Sequence, residues 1–257
     1  MASELHMVQL DLDVAFVTGL ARDQGAARQR WDDLGYFVHQ HLTSLFHDLS
    51  PQPFRTVTPR GRWLNVLGYT TGDAGRLRQS ADELGPPQAR AACRLDDLRT
   101  KPMPDSLFAA GRRFGFEVRT CPVVRLASEV ATTWVGAPRT FRAGAELDAF
   151  LHRRYLQAES GDRESVYVDW LRQRLDGAAG LLDVRLQAFR RVRVLRRGRR
   201  DGEGKRKTQV AERPDALLTG TLGVTDPDAF RDLLARGVGR HRAFGFGMLL
   251  LRAPGRR

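Results

Sequence analysis

The hydrophobic positions in the first half of the chain alternate in some segments and recur at helical spacing in others. Alternation predicts strands in residues 5–13 and in PFRTV, RWLNVLGYT and ARAACRLDDL. Helical spacing predicts a helix over residues 32–48, after a polar connection, and a second helix in GDAGRLRQSADEL that Asp73 opens. The resulting order, β-α-β-β-α-β, is that of a ferredoxin-like domain.

The second half of the chain repeats this order of elements. Strands are predicted in FGFEVRTCPVVRL, LLDVRLQAFRRVRVLRR, DALLTGTLGVT and FGFGMLLLR, and helices in ESVYVDWLRQRL and DPDAFRDLLARGV. Pro227 near the first turn and an aspartate N-cap favour the last helix. We therefore predict an α+β protein of two tandem ferredoxin-like (RRM-like) domains, residues 1–110 and 111–257, that share a pattern without a visible sequence repeat.

The composition is that of an ordinary globular protein, with 42% hydrophobic and 28% charged residues in 257. No segment reaches the roughly 18 apolar residues of a membrane span, and the N-terminus lacks the pattern of a signal peptide. Cys93 and Cys121 lie too far apart for a zinc knuckle or a redox pair. We expect two buried thiols in a cytoplasmic protein that has no membrane partner.

The charge balance changes this picture. There are 42 basic residues against 30 acidic ones, which gives a formal net charge of +12. Only Lys101, Lys205 and Lys207 are lysines, as codon bias toward arginine could produce. Such a bias explains the choice of arginine but not the surplus of positive charge. The surplus favours a polyanionic partner, and nucleic acid is the commonest one.

The densest positive charge lies between Arg185 and Lys207, where eleven basic residues face two acidic ones, Asp201 and Glu203. The segment begins as a strand and continues as a charged, glycine-rich turn. A strand pair of this kind can follow a phosphate backbone. The candidate nucleic-acid contacts are Arg190, Arg191, Arg193 and Arg196. The alternative is a solvated surface hairpin.

A second candidate site is the segment GVGRHRAFGFGM, residues 237–248, called the glycine loop below. Glycine lets a ligand approach the backbone, and successive N–H groups can hold an anion. The candidate nucleic-acid contacts here are Gly237, Gly239, Arg240, His241, Arg242, Gly245 and Gly247. Phe244 or Phe246 is a candidate for stacking on a base. Nucleotide-cofactor motifs are absent from the loop sequence, and the alternative is a tight helix-to-strand turn.

The first predicted helix presents two histidines on different sides. At about 100° per residue, an apolar stripe that includes Val38 and Leu42 forms the core-facing side. Tyr36 and His39 are i,i+3 neighbours on one flank of this stripe and can serve one site. His41 lies on the other flank. By itself, a histidine on a helix flank is usually a surface or capping residue.

Three segments together resemble one protein family. They are YFVHQ (36–40), RTKPMP (99–104) followed by GFEVRTCPVVR, and DALLTGTLGVTDPDAFRDLLARGVGRHRAFGFGMLLL. They resemble the CRISPR repeat-processing endoribonucleases of the CasE (Cse-type) branch, which belongs to Cascade. The glycine loop before a final strand is the hallmark of this family, and Tyr-x-x-His on the first helix is particular to this branch.

The resemblance implies an enzyme that cuts the hairpin repeat of precursor CRISPR RNA once, at the 3′ base of its stem. It implies a reaction without metal or cofactor, a 2′,3′-cyclic phosphate product, and an enzyme that stays bound to mature crRNA beside other Cas subunits of Cascade. His39 matches the catalytic histidine of the family and Tyr36 its active-site tyrosine. The arginines from Arg190 to Arg196 fall where relatives grip the stem, and Lys101, in RTKPMP, is a further candidate RNA contact.

The residue types fit this chemistry. Metal-free cleavage requires the 2′-hydroxyl to attack the adjacent phosphate, with one group to take its proton and another to protonate the departing 5′-oxygen. Imidazole titrates near neutrality and can do either. We expect His39 to transfer a proton and Tyr36 to orient the phosphate or share that role. Arg240 or Arg242 and the loop N–H groups would offset charge on the phosphorane.

Other functions fit less of the sequence. An RRM-like subunit that only caps a guide RNA hairpin would explain the charge and the fold without catalysis. A two-histidine phosphoesterase is suggested by His41-Leu42-Thr43, but its required second motif is not supplied by residues 152–154 or 241–243. A metal nuclease would need a carboxylate cluster, and none stands out.

Overall fold

The computed structural model of the protein describes residues 4–23, 34–57, 61–200 and 206–253. In the first half, the strands are β1 (His6–Asp13), β2 (Phe54–Thr56), β3 (Trp63–Thr70) and β4 (Arg99–Pro102). The helices of this half are α1 (Val14–Asp23), α2 (Gly35–Phe46), α3 (Ala74–Leu84) and α4 (Pro87–Ala91). The strands form one antiparallel sheet in the order β2-β3-β1-β4.

The second half builds a sheet of the same order. Its strands are β5 (Arg113–Thr120), β10 (Ala179–Arg200), β11 (Arg206–Val224) and β12 (Leu249–Arg252), arranged β10-β11-β5-β12. The helices of this unit are α6 (Arg163–Leu175) and α7 (Pro227–Arg236). In both sheets the second strand in chain order pairs with the third, the third with the first, and the first with the fourth. The predicted α+β architecture of two ferredoxin-like domains is confirmed, while the boundary between residues 110 and 111 stays a prediction.

Two predictions in the first half are wrong. Residues 14–23 form a helix, α1, instead of a polar connection. The segment ARAACRLDDL contributes the end of α4 and one bridge from Cys93 to Leu12, and the fourth strand lies further on, at Arg99–Pro102. Pro87 at the first turn of α4 explains the second error, because a proline at that position favours a helix start over a strand.

A segment between β5 and α6 departs from the repeated pattern. It contains β6 (Val123–Arg125), β7 (Val130–Trp134), β8 (Ala137–Phe141), β9 (Glu146–Asp148) and α5 (Ala149–Leu156). The predicted strand FGFEVRTCPVVRL therefore breaks at Pro122, and its second part pairs with β9 in a separate small sheet. The final strand is also shorter than predicted, because residues 244–248 belong to the glycine loop.

The two halves are held together by a shared core. Tyr69 of β3 is buried with Phe116 of β5 and Met248 in one hydrophobic cluster. Its hydroxyl donates a 2.9 Å hydrogen bond to the carbonyl oxygen of Leu249, and burial raises the pKa of this phenol. Arg55 of β2 also forms an ion pair with Glu117 of β5. The edge of the first sheet thus lies against the second.

Among the described residues, no helix is long and apolar enough to cross a membrane.

Candidate nucleic-acid interface

The N-terminal end of α2 docks directly on the glycine loop. A Cβ atom added at Gly35 would lie 2.2 Å from the carbonyl oxygen of Phe244, so the two backbones touch with no room for a side chain. The ring of Tyr36 stacks on the ring of Phe244, with 5.9 Å between centroids and 27° between planes. The two halves of the chain therefore meet at the predicted catalytic helix.

His39 lies one helical turn beyond Tyr36, and its side chain is half-buried. Its Nδ1 atom is buried and has no hydrogen-bond partner within the described part of the chain. Burial lowers the pKa of this imidazole below 6.5, because desolvation disfavours the charged form. The neutral ring that results at neutral pH can accept a proton.

Tyr36 lies one helical turn before His39 on α2 and is also half-buried. Its hydroxyl oxygen accepts a 3.2 Å hydrogen bond from the side-chain amide of Gln40. The ring lies between Phe37, which it meets edge-on, and Phe244 of the loop. These contacts fix the position of the phenol relative to the glycine loop.

His41 has a structural role on the opposite flank of α2. Its ring is buried, and its Nε2 atom donates a 2.8 Å hydrogen bond to the carbonyl oxygen of Ala89. The ring also contacts that of Phe16, with 4.8 Å between centroids. Burial lowers the pKa of His41. A phosphoesterase site built on His41 and Thr43 is therefore unsupported, because the imidazole is enclosed in the core.

The glycine loop turns back on itself through its own backbone. The N–H of Val238 donates to the carbonyl oxygen of Gly247 at 2.8 Å. The N–H of Gly247 donates to the carbonyl oxygen of Arg119, on β5, at 2.7 Å. At Gly239 a Cβ would lie 2.6 Å from the ring of Trp170, so this position requires glycine for close packing as well as for its positive φ. The loop residues with positive φ are Gly237, Gly239, His241, Gly245 and Gly247.

The middle of the loop leaves backbone donors unused. The N–H groups of Gly237, Val238, Phe244, Gly245 and Gly247 donate within the protein. In contrast, the N–H groups of residues 239–243 donate to no group of the described residues. Residues 239–244 line an open pocket of about 460 Å³. This part of the loop can bind an anion through its backbone.

A buried carboxylate, Glu146 of β9, collects the positive side chains around this pocket. Its oxygens lie 2.7 Å from Nε of Arg240, 3.0 Å from Nε2 of His241 and 3.0 Å from Nη2 of Arg213. The hydrogen bond from His241 and the charges of Arg213 and Arg240 lower the pKa of Glu146 to about 2, although burial opposes the shift. The ring of His241 is only 11% exposed, so it contacts Glu146 instead of solvent.

A second buried carboxylate connects the glycine loop to the paired strands β10 and β11, called the basic hairpin below. Asp215 of β11 accepts two hydrogen bonds from Arg119, at 2.8 and 3.0 Å, and one from Nε of Arg190 at 2.7 Å. Burial acts to raise the pKa of Asp215, but the two guanidinium groups more than offset it, so the pKa is lowered. Arg119 also lies over the ring of Phe246, 4.4 Å from its centroid. Phe246 is fully buried, so the prediction that it could stack on a base is wrong.

The remaining predicted contacts are spread over two surfaces. Arg190, Arg191 and Arg193 are exposed on β10 of the hairpin. The side chain of Arg196 lies outside the described residues. Arg242 is half-buried and donates to the carbonyl oxygen of Arg236 at the end of α7. Lys101 is exposed on β4, at the edge of the first sheet opposite β2, and the structure does not bring it to the loop.

Sequence reasoning missed Glu146, Arg213, Asp215 and Arg119. Glu146 and His241 are 95 residues apart, and Arg119 and Asp215 are 96 apart, so no local spacing relates them. The one feature of the sequence that could have pointed to Glu146 and Asp215 is that they are acidic residues on strands in a strongly basic half of the chain. Among the described residues, no three histidine, cysteine or acidic side chains are grouped to hold a metal ion.

The fold and this site define a tandem ferredoxin-like protein with a cationic, glycine-lined pocket. Phe244, one of the residues that line the pocket, contacts Tyr36 on the helix that also carries the half-buried His39. The chain belongs to the CRISPR associated protein family, whose model matches residues 14–253. The predicted resemblance to CRISPR proteins is confirmed at the level of this family. No curated protein matches the chain.

Solved structures of CRISPR proteins share the fold along nearly the whole chain. Cse3 of Thermus thermophilus, bound to an RNA representing a pre-cleavage complex, is 20% identical with a TM-score of 0.57, and the match covers 97% of this chain and 99% of that one. Cas6e of Escherichia coli K-12 is 18% identical with a TM-score of 0.54, at 97% and 99% coverage. A chain of a CRISPR RNA-guided surveillance complex is 17% identical with a TM-score of 0.55, at 96% and 99% coverage.

The contact between α2 and the loop predicts a strong effect of a small substitution. Gly35→Ala should lower the free energy of unfolding by about 2 kcal/mol, because the new Cβ would force the backbones of α2 and Phe244 apart. Urea denaturation measures the change. The matched control is Gly19→Ala on α1, where a Cβ meets nothing within 4 Å and helix propensity favours alanine. Equal stability of the two variants would contradict the close contact.

Proposed function

We propose that this protein is an endoribonuclease of the CasE (Cse) type, which binds the hairpin repeat of precursor CRISPR RNA and cuts it once at the 3′ base of the stem. The family, and a fold shared with Cse3 bound to RNA and with a chain of an RNA-guided surveillance complex, support this proposal. The observation that carries it is the docking of Tyr36, one turn before His39, on the cationic glycine loop. After cleavage the protein remains on the mature crRNA beside the other Cas subunits of Cascade.

The reaction is an internal transfer at one phosphate. The 2′-oxygen forms a bond to phosphorus as the bond to the 5′-oxygen breaks, which leaves a 2′,3′-cyclic phosphate and a 5′-hydroxyl. The half-buried, neutral imidazole of His39 takes the proton of the 2′-hydroxyl. The phenol of Tyr36 orients the phosphate, and either this phenol or the imidazolium of His39 then donates the proton that the departing 5′-oxygen takes up. This sequence of steps uses protein groups alone.

The glycine loop and the hairpin supply the binding energy. The free N–H groups of residues 239–243, together with Arg240 and Arg242, hold the phosphate and offset the charge that develops on the phosphorane. The exposed arginines of β10, and Arg196 beyond them, contact the phosphates of the stem. Arg190 is held at the base of this surface by Asp215.

His39→Ala should lower the single-turnover cleavage rate of the repeat hairpin at least about 100-fold, because the proton acceptor is lost. The affinity for the same RNA should change less than about threefold, since the loop and hairpin contacts remain. Denaturing gels and a filter-binding assay measure the two quantities. His152→Ala, which removes a half-buried histidine from α5, is the matched control. Unchanged cleavage by the His39 variant would remove the assignment.

A repeat RNA with a single 2′-deoxy nucleotide at the scissile position should bind normally and remain uncut, because the attacking oxygen is missing. The all-ribose RNA should be cut at the same rate in excess chelator. Cleavage of the deoxy RNA would refute internal attack, and loss of activity in chelator would refute a metal-independent reaction. Tight binding of a fully intact all-ribose RNA would instead support the alternative, a non-catalytic subunit that caps the guide hairpin.

The lowered pKa of His39 predicts the pH dependence of cleavage. A base with a depressed pKa is already neutral at pH 7, so the single-turnover rate should be flat around neutrality. The rate should fall as the pH drops through a value below 6.5, where the imidazole gains a proton. A rate that instead falls on raising the pH from about 6 to about 8 would assign His39 to protonation of the leaving oxygen.

A further inference from the structure

Glu146 joins two parts of the pocket that are distant in sequence. It lies on β9, in the segment that interrupts the second ferredoxin-like unit, and its side chain is only 7% exposed. Arg213 reaches it from β11 of the basic hairpin, and Arg240 and His241 reach it from the glycine loop. One buried carboxylate therefore ties the hairpin and the loop to the same point.

These contacts fix the part of the loop whose donors are free. His241 is a non-glycine residue in the left-handed region, with φ of 63°, and its ring is held by the hydrogen bond to Glu146. Arg240 uses Nε for Glu146, and its side chain is 50% exposed. The two terminal nitrogens of the Arg240 guanidinium group can therefore bind a ligand, while its Nε atom is held by Glu146. The backbone of residues 239–241 is thereby held between two anchored side chains and the ring of Trp170.

We propose that Glu146 is a positioning residue for RNA recognition: it holds Arg240 and the backbone donors of the glycine loop in the geometry that accepts an RNA phosphate. The inference rests on the proposed function and adds a residue to it. Glu146 itself contacts no RNA in this role, since its oxygens are occupied by Arg213, Arg240 and His241.

The direction in which RNA affinity changes when Glu146 is substituted distinguishes a positioning role from a purely electrostatic one. A carboxylate beside a phosphate site repels RNA, so loss of its charge alone would strengthen the binding of any RNA. If Glu146 positions the loop, its loss weakens the binding of the cognate hairpin although the site becomes more positive. The pKa of about 2 keeps Glu146 ionised throughout the working range, so the substitution to glutamine removes a full charge.

The experiment compares Glu146→Gln with the wild-type protein on two RNAs, the repeat hairpin and an oligouridine of equal length. We expect the variant to bind the hairpin about tenfold more weakly, because a buried charge partner is lost. Its affinity for oligouridine should be unchanged or higher. The matched control is Glu212→Gln on β11, which removes the same charge from an exposed side chain 3.7 Å from Arg191. This control should not lower the hairpin affinity.

Unchanged or tighter hairpin binding by the Glu146 variant would overturn the positioning role. Failure of the wild-type protein to bind the hairpin would instead refute the proposed function, and the inference with it. Should Glu146→Gln not fold, the pair His241→Ala and His241→Gln decides the matter. The glutamine amide can still donate to Glu146, so that variant should keep at least about threefold more hairpin affinity than the alanine variant. Equal affinities would overturn the proposal.

Discussion

The structure depends on a contact between two backbones, that of Gly35 at the start of α2 and that of Phe244 in the glycine loop. A side chain at position 35 would separate them, and Tyr36 would then lose its stacking on Phe244. His39 lies one turn beyond Tyr36 on the same helix, which is docked on the loop at its N-terminal end. The catalytic proposal depends on this close approach, which joins the two halves together with the shared core around Tyr69.

The positive charge of the protein is organised by a few buried carboxylates. Burying an ionised group is costly unless it is paired, and Glu146 and Asp215 are each paired with two arginines. Each carboxylate holds the Nε atom of one arginine, Asp215 that of Arg190 and Glu146 that of Arg240. Both arginine side chains are otherwise exposed to solvent. An excess of arginine alone would give a diffuse positive surface. Because Glu146 and Asp215 hold Arg240 and Arg190 in place, part of this positive surface has a fixed geometry.

The segment between β5 and α6 shows how a repeated fold acquires a particular site. Both ferredoxin-like sheets have the same strand order, and in the second unit β6 to β9 and α5 lie between the first strand, β5, and helix α6. That segment supplies Glu146 through β9. The repeated topology provides the framework, and the interruption provides the residue around which Arg240 and His241 are arranged.

The amino-acid sequence by itself determined the repeated β-α-β-β-α-β pattern of the two units, because the periodicity of buried positions is a local property. It also separated His39 from His41, since helical geometry fixes which residues share a flank. It failed where local signals were weak, at α1 and at the short strand β4, and where Cys93 makes only a single bridge. Only the tertiary structure decided that Phe246 is core, that His241 points to Glu146, and that α2 meets the loop. Those contacts join segments that are distant in the chain, with 95 positions between Glu146 and His241, and packing between distant segments leaves no periodic trace in the sequence.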